Sequence, residues 1–312
     1  MAITVGIAGI TGKFARCLAS HLLKHPDVSI RGYCRNASKV SAPLQSSPQV
    51  SIIQGEAFDA DQVRAFVSGL DVVVCCYLGD DNLMVEGQKT LIDACEEQKV
   101  PRYIASDWSL DYTKLEIGQL WVKDPMKHVK AYLETKKVVK GVHVLVGAFM
   151  DTVFSPFFNL LDAQTATFQY WGDGTEILES TSYNNAAEYT AAVARDPAAV
   201  GIQKFIGGRS SVQGIAESYE KVYKVKPTLK RLGSLEDLYK RMHALREQDP
   251  ANVFQYMPLF YMYYCTNGQT YLGPEVDNAK YPEIKPVSWE DFMRSHTLEQ
   301  LPAAYRNLAQ GL

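Results

Sequence analysis

At 312 residues the chain is long enough for one large core or for two smaller ones that share a boundary. Its hydrophobic content of 46%, charged content of 21% and formal net charge of −3 are those of an ordinary globular protein, and they argue against a nucleic-acid partner or an anionic membrane surface. The longest apolar run, 72–78, is too short to span a bilayer, and the N-terminus lacks the basic and long apolar regions of a signal peptide, so a soluble, cytoplasmic protein is expected. The six cysteines and six histidines are scattered without metal-ligand spacing, which predicts reduced thiols and no metal site.

In chain order, Ile3 to Ala8 is a short apolar run and predicts a buried strand. The character changes at Gly9-Ile10-Thr11-Gly12-Lys13-Phe14-Ala15, after which Phe14, Cys17, Leu18, Leu22 and Leu23 recur at helical spacing. Strand, glycine turn and helix start are the parts of a dinucleotide phosphate cradle, because the turn admits a pyrophosphate and the helix start offers free N–H groups. The useful register is Gly9-x-x-Gly12-x-x-Ala15, with Gly6 inside the strand and Thr11, Gly12, Lys13 and Phe14 supplying N–H groups. Glycines at a strand end are also ordinary turn chemistry; the strand before and the helix after favour the cradle.

Val28 to Cys34 predicts the second strand, followed by Arg35 and Lys39, with no Asp or Glu between Val28 and Val40. NAD sites carry an acidic residue at this point for the ribose hydroxyls, whereas an arginine accommodates the 2′-phosphate of NADP, so NADPH/NADP is the expected cofactor. Further strands are expected at 50–54, 71–77, 101–106 and 142–146, with helices at 61–68, 82–98 and 126–139 between them. Tyr77, ending the fourth strand, joins the cofactor candidates. This alternation predicts an α/β fold, a Rossmann-type doubly wound parallel sheet with a smaller C-terminal substrate-binding lobe. The expected division is a dinucleotide-binding domain at 1–150, with segments near 178–208 returning to it, and a lobe formed mainly by 151–312.

In that second half, helices are expected at 184–195, 211–223 and 234–248, the last capped by Ser234 with Glu236 and Asp237 in its first turn, and a strand at 204–206. The aromatic stretch 254–264 is either a core element or the wall of an apolar pocket. Trp108, Phe149 and Tyr261 are candidate pocket residues for a small aromatic or apolar substrate. Lys127 falls near the first turn of its helix, a place the helix dipole disfavours for a cation, so it is either an active-site lysine or part of a basic surface helix with Lys123 and Lys130. Asp107 is expected to orient a lysine or substrate hydroxyl, or to cap the following turn.

Taken together, these segments resemble the NmrA-like and isoflavone reductase-like branch of atypical short-chain dehydrogenases/reductases. Gly9-Ile10-Thr11-Gly12 resembles its G-[AG]-T-G turn, and Arg35-Asn36-Ala37-Ser38-Lys39 its R-[DN]-x-x-K segment. Ser106-Asp107-Trp108 is similar to the end of its fifth strand, and Lys127-His128-Val129-Lys130-Ala131-Tyr132-Leu133 to its K-x-x-V-x-x-[YF]-[LI] helix. Gly147-Ala148-Phe149-Met150 is similar to its turn beside the nicotinamide, and 286–292 to its closing segment. The resemblance implies an NADPH-dependent reductase of a small aromatic or conjugated molecule, in secondary metabolism, with Lys127 as active-site lysine and Phe149 near the nicotinamide. It equally admits a non-catalytic NADP-binding redox regulator of the NmrA type. The Tyr-x-x-x-Lys dyad of most short-chain dehydrogenases is missing, since Lys123 stands four residues before Lys127. This weakens a sugar-nucleotide epimerase reading and leaves the proton donor unassigned among Tyr77, Tyr112 and the Tyr261-Met262-Tyr263-Tyr264 group. Oligomeric state is open.

Overall fold

In the computed structural model, residues 2–308 are described. The first half alternates strand and helix: β1 (Ile3–Ala8), α1 (Lys13–Leu22), β2 (Val28–Cys34), α2 (Ala42–Ser46), β3 (Val50–Gln54), α3 (Ala60–Val67), β4 (Val72–Cys75), α4 (Gln88–Glu97), β5 (Arg102–Ile104), α5 (Asp124–Glu134) and β6 (Lys140–Leu145). The central strands are buried on both faces, which is why they read as near-continuous apolar runs: all four residues of β4 are inaccessible to solvent. On α1, Phe14, Cys17, Leu18 and Leu22 form the buried stripe that packs on the sheet. A turn of π-helix, Leu83–Gly87, precedes α4.

The second half runs through β7 (Ala148–Phe149), α6 (Met150–Val153), β8 (Leu161–Asp162), β9 (Thr167–Trp171), β10 (Ile177–Thr181), α7 (Tyr183–Arg195), β11 (Gly201–Lys204), β12 (Gly208–Ser211), α8 (Val212–Tyr223), β13 (Thr228–Gly233), α9 (Leu235–Gln248), α10 (Val253–Thr266), α11 (Trp289–Arg294) and α12 (Ala304–Asn307). The main sheet has seven strands in the order β11-β6-β5-β4-β1-β2-β3, every pairing parallel. Chain order reverses between β1 and β4, the switch point where open α/β sheets bind ligands beyond their carboxyl ends. Two three-stranded sheets, β12-β10-β7 and β13-β9-β8, carry a second core with Phe154, Phe168, Tyr219, Phe260 and Trp289. The expected α/β architecture with a smaller C-terminal part is borne out.

Arg102 shows how the halves are tied. Its buried guanidinium, on β5, donates to the carbonyls of Val193 (2.9 Å), Ala194 (2.7 Å) and Asp196 (2.7 Å), satisfying the last turn of α7.

Some element bounds differ from expectation for local reasons. The helix expected to reach residue 139 stops at Glu134, because the Glu96 carboxylate accepts the N–H groups of Lys137, Val138 and Val139 and draws them into a turn. The strand expected at 204–206 is 201–204, ended where Asp277 accepts the Lys204 N–H at 2.7 Å. β13 had no apolar alternation to announce it, since five of its six residues are exposed. The aromatic stretch is the helix α10, with Tyr256, Phe260 and Tyr264 on its buried face and Pro258 within it. All six cysteines are unpaired. Among the described residues no helix is long and apolar enough to cross a membrane.

Candidate active site

The turn after β1 stands at the switch point. Gly9 has φ of +81°, and a Cβ there would lie 2.9 Å from the Cys76 carbonyl oxygen, so conformation and space both demand glycine. Gly12 is the N-cap of α1 and contributes no side-chain cap, so the first-turn N–H groups face outward for an anion. One expected donor is otherwise engaged: the Gly12 N–H closes the turn on the Gly9 carbonyl at 2.9 Å. Among the described residues the Thr11, Lys13 and Phe14 N–H groups donate to no backbone carbonyl. Gly6 lies within β1, paired with Arg31 and Val73, and the fully buried Ala15 lets α1 approach the sheet.

At the end of β2, Arg35 and Lys39 are exposed, and among the described residues neither side chain has a hydrogen-bond or ion-pair partner. Between them Asn36 accepts the Ser38 N–H at 2.9 Å and fixes a single 3₁₀ turn, which keeps both cations on one short loop. Tyr77 closes the other side of the cradle. Its ring packs between the Gly9 turn and Gly87, and among the described residues its buried hydroxyl has no partner. Burial raises its pKa far above the ordinary phenol value, so it stays neutral.

Beyond the cradle the cleft is closed by aromatic rings. Phe14 packs on Trp108 (centroids 4.0 Å) and against the edge of Tyr183 (5.3 Å), and Tyr183 packs on Phe149 (4.5 Å). Trp108, expected on a pocket wall, is 9% exposed and serves as a prop under α1, its indole N–H donating to Thr190 Oγ1 at 2.9 Å. Its φ of +24° is a strained conformation for a bulky residue, held by these neighbours. Lys13 reaches to the opposite end of the chain, donating to the carbonyls of Tyr305 at 2.8 Å and Arg306 at 3.2 Å. Tyr183 and Tyr305 escaped sequence reasoning, because no local pattern marks an aromatic residue that arrives from so far along the chain.

Lys127 is the fourth residue of α5, after Asp124, Pro125 and Met126, and is half-buried, and among the described residues its ammonium has no partner. Helix α5 packs on β6 and on the π-helical turn that touches Tyr77. Lys123, one helical turn earlier, holds its ammonium 5.2 Å over the Tyr261 ring, which in turn meets Phe157 (5.9 Å) and Phe158 (6.4 Å). Phe158 borders a cavity of about 350 Å³ walled by Trp171, Leu259 and Met262, with Arg241 at its edge. Tyr261 is thus tied to Lys123 at the start of α5, whereas Trp108 and Phe149 belong to the ring cluster at the cradle.

Asp107 neither caps the next turn nor reaches a lysine. Its Oδ2 lies 2.6 Å from His143 Nδ1 and accepts the Tyr112 hydroxyl at 3.0 Å, in a buried cluster that ties the end of β5 to β6, and Asp111 caps the turn instead. Burial, reinforced by Asp107, raises the Tyr112 pKa far above its ordinary value, and the fully buried hydroxyl cannot meet a substrate.

A family model described as NAD(P)H-binding matches residues 9–197, from the glycine turn to the end of α7. The chain belongs to the NAD(P)H-binding family. Its fold is that of an isoflavone reductase crystal structure, with a TM-score of 0.75 at 18% identity over 95% of this chain and 99% of that one. The structure of AtPrR2 with NADP+ and (+)-pinoresinol is similar at a TM-score of 0.74 and 15% identity, covering 95% of this chain and 99% of that one. Among curated relatives, oxidoreductase nsrR of Aspergillus novofumigatus is 31% identical over 83 residues, which is 26% of this chain and 31% of the relative. The match therefore spans about a third of that relative's length. For an NAD(P)H-binding chain the local fit is good: a cradle that a Cβ would fill, an uncapped helix start and two unpartnered cations beside it.

Proposed function

We propose that the chain is an NADPH-dependent reductase of small aromatic or conjugated organic molecules, with Lys127 as its active-site lysine. When bound, the dinucleotide supplies the hydride. Thr11, Lys13 and Phe14 would hold the pyrophosphate with backbone N–H groups, and Arg35 with Lys39 the 2′-phosphate, where a guanidinium fork matches a phosphate monoester. Tyr77 and Phe149 would flank the cofactor's two rings.

The observation that carries the reading is the ammonium of the half-buried Lys127, unpaired among the described residues, on the helix that abuts the Tyr77 side of the cradle. A lysine left without a carboxylate in this position is available to hydrogen-bond a ribose hydroxyl and to neutralise an oxygen that gains negative charge. The Phe157, Phe158 and Tyr261 rings beside Lys123 support an aromatic substrate, because such rings offer apolar faces.

The test is NADPH oxidation by purified protein against aromatic enones, ketones and lignan-type benzylic ethers, with Lys127→Ala in parallel. A fall in turnover of about a hundredfold in the variant supports the reading. Tight NADPH binding without turnover on any substrate replaces it with the regulator, and turnover indifferent to Lys127 removes that residue from the mechanism.

A further inference from the structure

Lys13 occupies the first position of α1, where the dipole and the uncapped N–H groups already create a positive field. A cation is misplaced there without a strong acceptor, and among the described residues no carboxylate pairs with it. Its ammonium instead donates to the Tyr305 and Arg306 carbonyls at 2.8 and 3.2 Å and lies 4.5 Å from the Tyr305 ring centre. Those carbonyls belong to α12, a four-residue turn too short to satisfy them internally. The segment is anchored from beneath by the buried Leu301 and Ala304, while Tyr305 is half-buried and sets its ring edge-on to Tyr183 at 5.9 Å. One side chain therefore joins the cofactor cradle to the C-terminal segment, across 292 positions of sequence.

We propose that Lys13 is shared between two acceptors, so that residues 301–308 form a latch held by Lys13 in the free protein and released when a dinucleotide phosphate takes the ammonium. The inference rests on the cofactor reading above. A phosphate wins the exchange because its hydrogen bonds with an ammonium are charge-assisted on both sides, whereas a carbonyl is neutral. The third N–H of the ammonium allows a phosphate to attach before the carbonyls are given up, so the exchange needs no bare intermediate. The latch weakens cofactor binding in proportion to its own strength. Release loosens the Tyr305 edge of the ring cluster at the same moment, so occupancy of the cradle is signalled at the chain's far end.

The test is backbone hydrogen exchange at 301–308 in the full chain: free, saturated with NADPH, and as Lys13→Gln without cofactor, with thermal melting as the control for folding. NADPH binding itself is read by nicotinamide fluorescence. Loss of two charge-assisted hydrogen bonds should speed exchange there by about tenfold or more, both in Lys13→Gln and with NADPH bound. Tyr305→Ser, which keeps Lys13 but removes the ring it lies against, should bind NADPH about three- to tenfold more tightly, as expected for a cation–π contact of this exposure. Exchange at 301–308 that is unchanged in Lys13→Gln, or slowed by bound NADPH, overturns the latch, as does unaltered affinity in Tyr305→Ser. NADPH that fails to bind at all overturns the cofactor reading and the sharing with it, while the Lys13→Gln arm still reads the contact in the free protein.

Discussion

The two ends of the cleft above the sheet are built by opposite means. At the end of β2, Arg35 and Lys39 stand in water, held only by the one-turn loop that Asn36 caps. At the end of β5, Phe14, Trp108, Phe149 and Tyr183 are packed ring on ring, with a buried indole hydrogen bond and a strained backbone. The first end is a pair of point charges awaiting a partner, and contributes little to stability. The second is part of the core, and its geometry is set before any ligand arrives. Substitutions should therefore separate: at the cationic end they change affinity alone, and at the aromatic end they change the fold as well.

The largest effect is expected from Trp108→Ala. Removing a buried indole leaves a cavity under α1 and should cost about 3–5 kcal/mol of stability in urea unfolding, with weaker NADPH binding as the first turn shifts. Wild-type stability in this variant would mean that packing does not hold the closed end. Lys127→Ala is next. Turnover should fall by about a hundredfold, typical for loss of a positioned proton-transfer or charge-stabilising group, with NADPH bound about tenfold more weakly as the hydrogen bond to its ribose is lost. Arg35→Ala should weaken NADPH by roughly tenfold to a hundredfold, the worth of a hydrogen-bonded charge pair, and leave both NADH binding and melting temperature alone. Equal losses for the two cofactors would remove Arg35 from the phosphate site.

The smallest effect concerns pH. His21 on α1 is buried and meets Asn184 Oδ1 at 2.9 Å, and burial holds its pKa below the ordinary value near 6.5. The unfolded chain therefore takes up a proton before the native state does, and stability should decline as pH falls from about 6.5 through the lowered native pKa. His21→Gln should flatten that decline. A slope that survives the substitution would place the acid sensitivity elsewhere, with His25 and His243, both also lowered by burial, as the remaining histidines of that kind.

The sheet was legible where burial wrote a local pattern. β1, β2 and β3 have the bounds that their apolar runs predicted, and the change of character at Gly9 marked the turn, because only glycine tolerates its positive φ beside Cys76. The Ser234 cap was equally local, and the structure extends it to a capping box with Asp237. What failed to show was long-range or solvent-facing. The residues of β13 that pair with β9 are nearly all exposed, so no side-chain alternation announced the strand. Asp107 was expected to orient a lysine or substrate hydroxyl or to cap the following turn, yet its partners are Tyr112 and His143, the latter brought to it by the pairing of β5 with β6. The burial of Trp108 depends on Phe14 and Thr190, contacts that no window around residue 108 contains.

That separation in sequence has a meaning for biosynthesis. Helix α1 leaves the ribosome well before α7: His21 meets its partner only when Asn184 has emerged, 163 residues later, and Lys13 waits until residue 305. Loops of this length slow closure through their entropy and leave apolar surface uncovered in the meantime. The part of α1 that packs against α7 therefore stays uncovered until residues 183–195 have been made.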